Sequence, residues 1–353
     1  MKHALATFLY VCAHFLGVNL LLKWLNRHKI RVLMYHGVTS TPLPTSYTTQ
    51  VSRVDFAWQM RYVSRHYHCC GSEVLTSQSR GTDDNRVVIT FDDGLENVYT
   101  EAWPVLKRYG VPATVFVLPQ LSIDRDCIWT DKVYDLLVNT SAGSLDLERF
   151  NLGRHQIQGC STVQRARLAL SLNRKLKWMP VVDRRSAVAE ICSQLAGPEH
   201  SIHPAFRLMT PEQITHMAAS SEIEIGAHTQ THQILSTLPP DQQRSEIEGC
   251  LQQLREWGGK VPGVFAYPNG NRGDFTDHTI EILRDNSIAC AVTTIRGHHL
   301  PGSDPYRVRR VVIGDDTSRW EFRAKLSGFF YVLAWFEDVF LGGDANKQPR
   351  VQR

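Results

Sequence analysis

The segment Val87-Val88-Ile89-Thr90-Phe91-Asp92-Asp93-Gly94 constrains this chain more than any other. A continuous β-branched and aromatic run reads as a strand buried on both faces, the mark of a parallel sheet in an α/β fold. It stops abruptly at two carboxylates and a glycine, at the strand's carboxyl end, where such folds place their chemistry. Side chains alternate along a strand, so Asp92 and Asp93 point apart. One can bind a metal while the other stands free as a base. An acidic β-turn would use the same residue types, so the pair gains meaning only with partners elsewhere in the chain.

Six further segments read as short strands between helical patterns, which predicts βα units around a parallel sheet. The seven are Arg31–His36, Arg86–Asp92, Ala113–Val117, Glu222–Ala227, Gly263–Tyr267, Ala289–Thr293 and Arg307–Ile313. Helices are expected over Phe56–His66, Asn97–Tyr109, Pro211–Ser220, Pro239–Trp257 and Asp277–Asn286. The stretch from Ser122 to Phe206 breaks the rhythm. It holds helical patterns at Asp131–Leu137, Thr162–Leu176 and Arg184–Leu195, and a basic run with Arg165, Arg167, Arg174, Lys175 and Lys177. It reads as a helical insertion on the face where loops carry function, the basic run being a solvated surface.

The partners for the two aspartates lie in Gly226-Ala227-His228-Thr229-Gln230-Thr231-His232, after another apolar run. Histidines four residues apart share one helical face and can grip one metal. Two neutral imidazoles with one carboxylate form a facial set that leaves positions open for water and substrate. A metal so held acidifies water and polarises a carbonyl oxygen, while a free carboxylate takes the proton. The set suits hydrolysis of an amide or ester. A third segment, Phe265-Ala266-Tyr267-Pro268-Asn269-Gly270-Asn271-Arg272, ends a strand in a turn that can present an amide N–H to the site.

The three motifs in this order resemble the polysaccharide deacetylase (NodB homology) family, over roughly Arg31 to Ile313. Val32-Leu33-Met34-Tyr35-His36-Gly37-Val38 also looks like the first strand of one of its branches. The resemblance implies a distorted (β/α)7 barrel and metal-dependent removal of N-acetyl groups from an amino sugar. It implies that Asp92 is the base and that Asp93, His228 and His232 are ligands of one divalent ion. Zinc is the default, with cobalt, nickel, manganese or iron compatible with the same set. Tyr267, Pro268, Arg272 and Asp274 are expected to contact substrate.

The chain also departs from the family. The arginine of the third motif that orients the base falls at Ala266, and Arg272 with Asp274 is the expected replacement. The tyrosine whose backbone N–H serves the oxyanion falls at Asn269. The late catalytic histidine has no clean match; His298 and His299 lie in a loop-like setting, and His36 is another imidazole at a strand end. These departures leave two rivals open: a catalytically silent carbohydrate-binding scaffold on the same fold, and a metal-dependent deformylase or esterase.

Composition excludes little more. A net charge of +4 over 353 residues gives no case for nucleic acid, and eight cysteines without a CxxC pair suit a reducing compartment. The ends of the chain are distinctive. Ala4 to Leu22 carries no Asp, Glu, Lys or Arg and has just the length to cross a hydrocarbon core, with Lys23, Arg27, Lys29 and Arg31 following. Positive charge there holds the remainder on the cytoplasmic side, whether the segment spans the membrane or lies in its surface. Leu326 to Phe336 is a second aromatic, apolar stretch, too short to span. The expected organisation is a membrane-associating segment at 1–30, a barrel at 31–316 with its insertion at about 122–206, and an aromatic helix with a polar tail at 317–353. A barrel at the cytoplasmic face could meet a lipid-linked glycan.

Overall fold

The computed structural model describes residues 2–41, 43, 50–76, 85–197, 201–258 and 263–341. Seven parallel strands close into a barrel: β1 (Arg31–Tyr35), β2 (Arg86–Phe91), β3 (Ala113–Val117), β4 (Ile223–Ala227), β5 (Val264–Ala266), β6 (Cys290–Arg296) and β7 (Val308–Val312). Each pairs with its neighbour in sequence, and Val311 of β7 returns to Leu33 of β1. All seven expected strands are present, with ends shifted by up to three residues. The barrel is distorted between β2 and β3. Ala113 first meets Ile89, and a short strand, His68–Cys70, covers the lower part of β2 from Arg86 to Val88.

Alternation along the strands divides the apolar side chains into two layers. Val32, Val88, Phe116, Val264, Ala266, Val292 and Val308 fill the interior. Leu33, Tyr35, Val87, Ile89, Phe91, Val115, Phe265 and Val311 face the surrounding helices and form the main core with Phe56, Met60, Leu106, Ile247 and Leu283. The small lumen leaves no slack: a Cβ on Gly226 would sit 2.4 Å from Phe116 Cδ1, so only glycine fits there.

The helices begin where local chemistry predicts. Ser52 caps Arg53–His66, and Thr210 with Gln213 forms a capping box at the start of Pro211–Ala218. Asn97–Tyr109 is not one regular helix. Val98–Ala102 is a wide π turn leading into Trp103–Tyr109, beside Pro104, which has no N–H to give to the preceding turn. The interrupting segment folds as Pro119–Asp124, Trp129–Asn139, Thr162–Lys177 and Val181–Leu195, with a hairpin of Ser144–Asp146 and Arg154–Gln156. Val133, Leu137, Leu145, Leu172 and Ile191 give it an apolar core of its own.

Ala4–Leu22 does not form the single long helix its length suggests. Gly17 takes a left-handed φ of 74°, and the helices Lys2–Phe15 and Val18–Leu25 turn by 78° between them. Among the described residues no single helix is long and apolar enough to cross a membrane. Leu326–Phe336 is likewise divided: Gly328, with φ of 100°, ends Arg319–Ser327, and Phe329–Leu341 follows. The terminal helices pack together. Tyr10 meets the rings of Phe329 and Phe330, His14 meets Trp320, and Ser327 donates to Asn19 Oδ1 at 2.9 Å. Their outer side keeps Leu5, Phe8, Phe15, Leu16, Leu20, Leu21 and Trp24 exposed, with Trp335 and Phe336 on the second pair. Positions 342–353 of the polar tail lie outside the described residues.

Candidate active site

At the end of β2 the two aspartates part as alternation requires. The Asp92 N–H still bonds the Tyr35 carbonyl at 2.9 Å, so Asp92 keeps the strand's direction. Asp93 then turns into the left-handed region with φ of 72°, and Gly94 follows at 66°. Gly94 is required for space as well as conformation, since a Cβ there would lie 3.1 Å from Val117 Cα. Left-handed φ also occurs at Thr229, His232 and Asn269, the other loops of this face. Strained residues that gather in this way mark sites whose geometry is enforced by their surroundings.

His228 and His232 meet, though not on a helix. They lie in the irregular loop after β4, and the left-handed turns at Thr229 and His232 fold it back on itself. Glu246, from the helix Pro240–Gly258, holds this loop. Its carboxylate accepts the Gln230 and Thr231 N–H groups, both at 3.0 Å, and the Thr231 hydroxyl at 2.6 Å. His228 Nδ1 donates to the Ala266 carbonyl at 2.7 Å, which fixes the tautomer and leaves the Nε2 lone pair directed inward.

Asp93 Oδ1 lies 3.4 Å from His228 Nε2 and 3.4 Å from His232 Nε2. It is buried and has no hydrogen-bond donor, an arrangement that protein interiors avoid unless something else fills the position. Three ligands each about 2.0–2.2 Å from one ion stand roughly 3.0–3.5 Å apart, so the trio fits a divalent metal. Burial pushes the Asp93 carboxyl up, but the surrounding imidazoles of His228, His36 and His232 outweigh it and leave it below the ordinary range. Burial lowers His232 to about 4, which keeps it neutral and able to ligate.

Asp92 turns toward β7. Arg310 Nη1 and Nη2 donate to its two oxygens, both at 2.7 Å. The guanidinium is fully buried and is fixed further by its Nε bond to the Thr293 carbonyl at 2.8 Å. Burial raises the Asp92 carboxyl, but the charge and hydrogen bonds of Arg310 outweigh it, so the group stays ionised at neutral pH. Arg310 was missed in sequence. Its signal was parity: in Val308-Arg309-Arg310 the arginine shares the inward face of Val308, and a buried arginine needs a carboxylate.

Arg310 therefore occupies the place expected for Arg272 with Asp274. Arg272 is exposed, and Asp274 braces the third loop by accepting from Asn269 Nδ2 and, at 2.7 Å, from the Asn271 N–H. The expectation that Tyr267 contacts substrate is corrected as well. It faces the outer core, stacks on Phe275 at 3.9 Å and donates to the Tyr306 carbonyl, with 1% of its surface exposed. Pro268 is buried, its carbonyl accepting the Gly270 N–H at 2.7 Å. Asn269 is held by Thr294, which donates to its carbonyl, and its own N–H has no protein acceptor among the described residues. His36 is the further imidazole at the site, with Nε2 4.0 Å from Asp93 Oδ2. His298 instead contacts the Lys325 carbonyl and Tyr331, and His299 bridges to Ile30.

Comparison with known proteins bears on the family and the fold. Residues 79–291 match the family model described as polysaccharide deacetylase. The Bacillus subtilis protein YxkH, assigned to the polysaccharide deacetylases, is 33% identical over 98 residues, which span 26% of this chain and 32% of that relative. The aligned part is thus about a third of the relative's length. Among solved structures, the deacetylase PplD of Streptococcus pyogenes, in complex with acetate, superposes with a TM-score of 0.56 at 18% identity, over 84% of this chain and 98% of the other. IcaB from Ammonifex degensii gives 0.54 at 23% identity, over 85% and 97%. Both share the barrel.

Proposed function

The chain belongs to the polysaccharide deacetylase family, and from that premise we propose that it is a metal-dependent hydrolase removing N-acetyl groups from an amino sugar of a glycan. One observation carries the reading: Asp93 Oδ1 is buried without a donor between two imidazole nitrogens, while its neighbour Asp92 is held apart and ionised by Arg310. Asp93, His228 and His232 would hold one divalent ion, zinc by default. When bound, the ion supplies Lewis acidity toward an acyl oxygen and toward water. Asp92 takes the proton of the attacking water, each of its oxygens keeping a lone pair beyond the one given to Arg310. The Asn269 N–H is placed to donate to the developing oxyanion. His36 supplies a proton to the departing nitrogen, and acetate and a free amine result.

The silent-scaffold rival rests on the absent late histidine and on a third motif that lacks its arginine. Arg310 provides a guanidinium for Asp92 from a different strand, which removes the second ground. The test combines metal analysis with acetate release from an N-acetylglucosamine oligomer. Asp93→Asn and His228→Ala should lose the ion. Asp92→Asn should keep it and lose on the order of 10²-fold in turnover. Full metal retention in His228→Ala would reject the ligand set, and unimpaired turnover in Asp92→Asn would reject the base.

The same reading places the barrel at a membrane surface on the cytoplasmic side, acting on a lipid-linked glycan. Exposed Leu, Phe and Trp on the terminal helices beside Lys23, Arg27 and Lys29 support it, because such a face lowers its free energy in an anionic headgroup layer. The full chain should sediment with anionic vesicles, and a chain beginning near His28 should not. A phosphatase fused to the C-terminus should be inactive outside the cell; an active one would reverse the sidedness.

A further inference from the structure

The helical insertion carries a shallow, largely open cleft that the reaction above does not use. It measures about 590 Å³ and lies between the end of Thr162–Lys177 and the turn at Phe150 and Asn151. Trp178 forms one wall with 79% of its surface exposed. The Lys177 ammonium lies 5.5 Å from its ring centroid. A bare indole is a large apolar surface with a π face, and surfaces of this kind mark binding sites when they sit in a concavity. Arg174 and Lys175 line the same cleft, and neither makes an ion pair among the described residues. The cleft therefore joins a flat aromatic platform to unneutralised positive charge.

One hydrogen bond and one nearby charge link this corner of the insertion to the barrel mouth. Arg184, just past the turn that follows Trp178, is buried and donates to Gln233 Oε1 at 2.6 Å, next to the ligand His232. Lys177, whose burial lowers its pKa, lies close enough to Asp274 for that carboxylate to offset part of the effect. Asp274 is the brace of the Asn269 loop. One short segment, residues 177–184, thus borders both the cleft and the site.

We infer that this cleft is a second glycan subsite, which stacks a pyranose ring on Trp178 and pairs its anionic substituent, carboxylate or phosphate, with Arg174 and Lys175. Its occupant is a sugar unit away from the reacting one. The charge also disfavours a unit that has already lost its acyl group, because a free amine is cationic. The inference rests on the reading of the barrel as a glycan hydrolase, yet it can be tested without turnover.

The test is calorimetric titration of the metal-stripped full chain. The probes are a hyaluronan hexasaccharide, which alternates N-acetylated and carboxylate-bearing units, N-acetylglucosamine 1-phosphate, and a neutral N-acetylglucosamine hexamer. An acidic probe should bind at least tenfold more tightly than the neutral hexamer, and added salt should weaken it. Whichever acidic probe binds better identifies carboxylate or phosphate as the substituent. Trp178→Ala, at an exposed position, should weaken binding at least tenfold, and Arg174→Gln with Lys175→Gln should abolish the preference for acid. Equal binding of acidic and neutral probes, or undiminished binding in Trp178→Ala, overturns the subsite. Absence of acetate release from every substrate overturns the hydrolase reading and leaves the titration to stand separately.

Discussion

Replacing Arg310 with methionine tests the arrangement around Asp92 most directly. The pair is closed to solvent, with Arg310 at 0% and Asp92 at 3% exposure, and both oxygens receive bonds at 2.7 Å. Removing one partner of a buried ion pair costs roughly 3–5 kcal/mol, because the other charge is left uncompensated. Protonation of Asp92 sets a ceiling on that charge penalty. An ordinary aspartate titrates near 3.9, and each pH unit above that adds about 1.36 kcal/mol, so the ceiling is about 4 kcal/mol at pH 7 and about 1.5 kcal/mol at pH 5. The sign follows from linkage. In the native protein the lowered Asp92 pKa contributes stability that is present above the unfolded value and lost as pH falls through the folded one. In Arg310→Met the folded pKa is raised instead, so its destabilisation is greatest at high pH and fades on acidification. Urea denaturation of the metal-stripped proteins at several pH values should show the deficit shrinking by about 2–3 kcal/mol between pH 7 and pH 5. Adding Asp92→Asn to Arg310→Met should remove this pH dependence. A deficit under about 1 kcal/mol at pH 7, or one independent of pH, would refute the claim that Arg310 compensates an ionised Asp92.

Other consequences are separable. Glu246→Gln loosens the loop that carries both histidines while leaving every ligand in place, so metal affinity should fall about 10–100-fold, as read by competition with a chromogenic chelator. Unaltered affinity would mean the histidines hold their own positions. Gly94→Ala places a Cβ against Val117 at a left-handed φ and should lower the melting temperature and the metal content together. Tyr267→Phe removes a hydroxyl from the outer core, so it should cost about 1 kcal/mol in denaturation with little change in KM; a large rise in KM would restore Tyr267 to the substrate.

What the sequence disclosed divides along a physical line. Each barrel strand was legible because burial on both faces imposes a local apolar run, and each run ends within a few residues of the structural one. The Asp93, His228 and His232 trio was legible because strand ends are themselves local features, and two of them carry it: the end of β2 holds Asp93 and the end of β4 holds both histidines. The histidine pair was nevertheless found for a reason the structure does not support. Spacing of four suggested a helix, whereas left-handed turns at Thr229 and His232 bring the rings to 5.0 Å, held by a carboxylate on the next helix. Counting apolar residues gave Ala4–Leu22 a sufficient length, but a count does not register the conformation of Gly17. Arg310 shows the limit most clearly. It lies 218 positions from Asp92 and meets it because closing the barrel sets β7 against β1 and so within reach of β2. No window of sequence contains that closure. Parity on β7 makes Arg310 a buried charge, and the demand that such a charge be compensated points to the carboxylate of Asp92. Where a motif lacks a residue its chemistry requires, the inward positions of the strand that closes the barrel are therefore the first place to look.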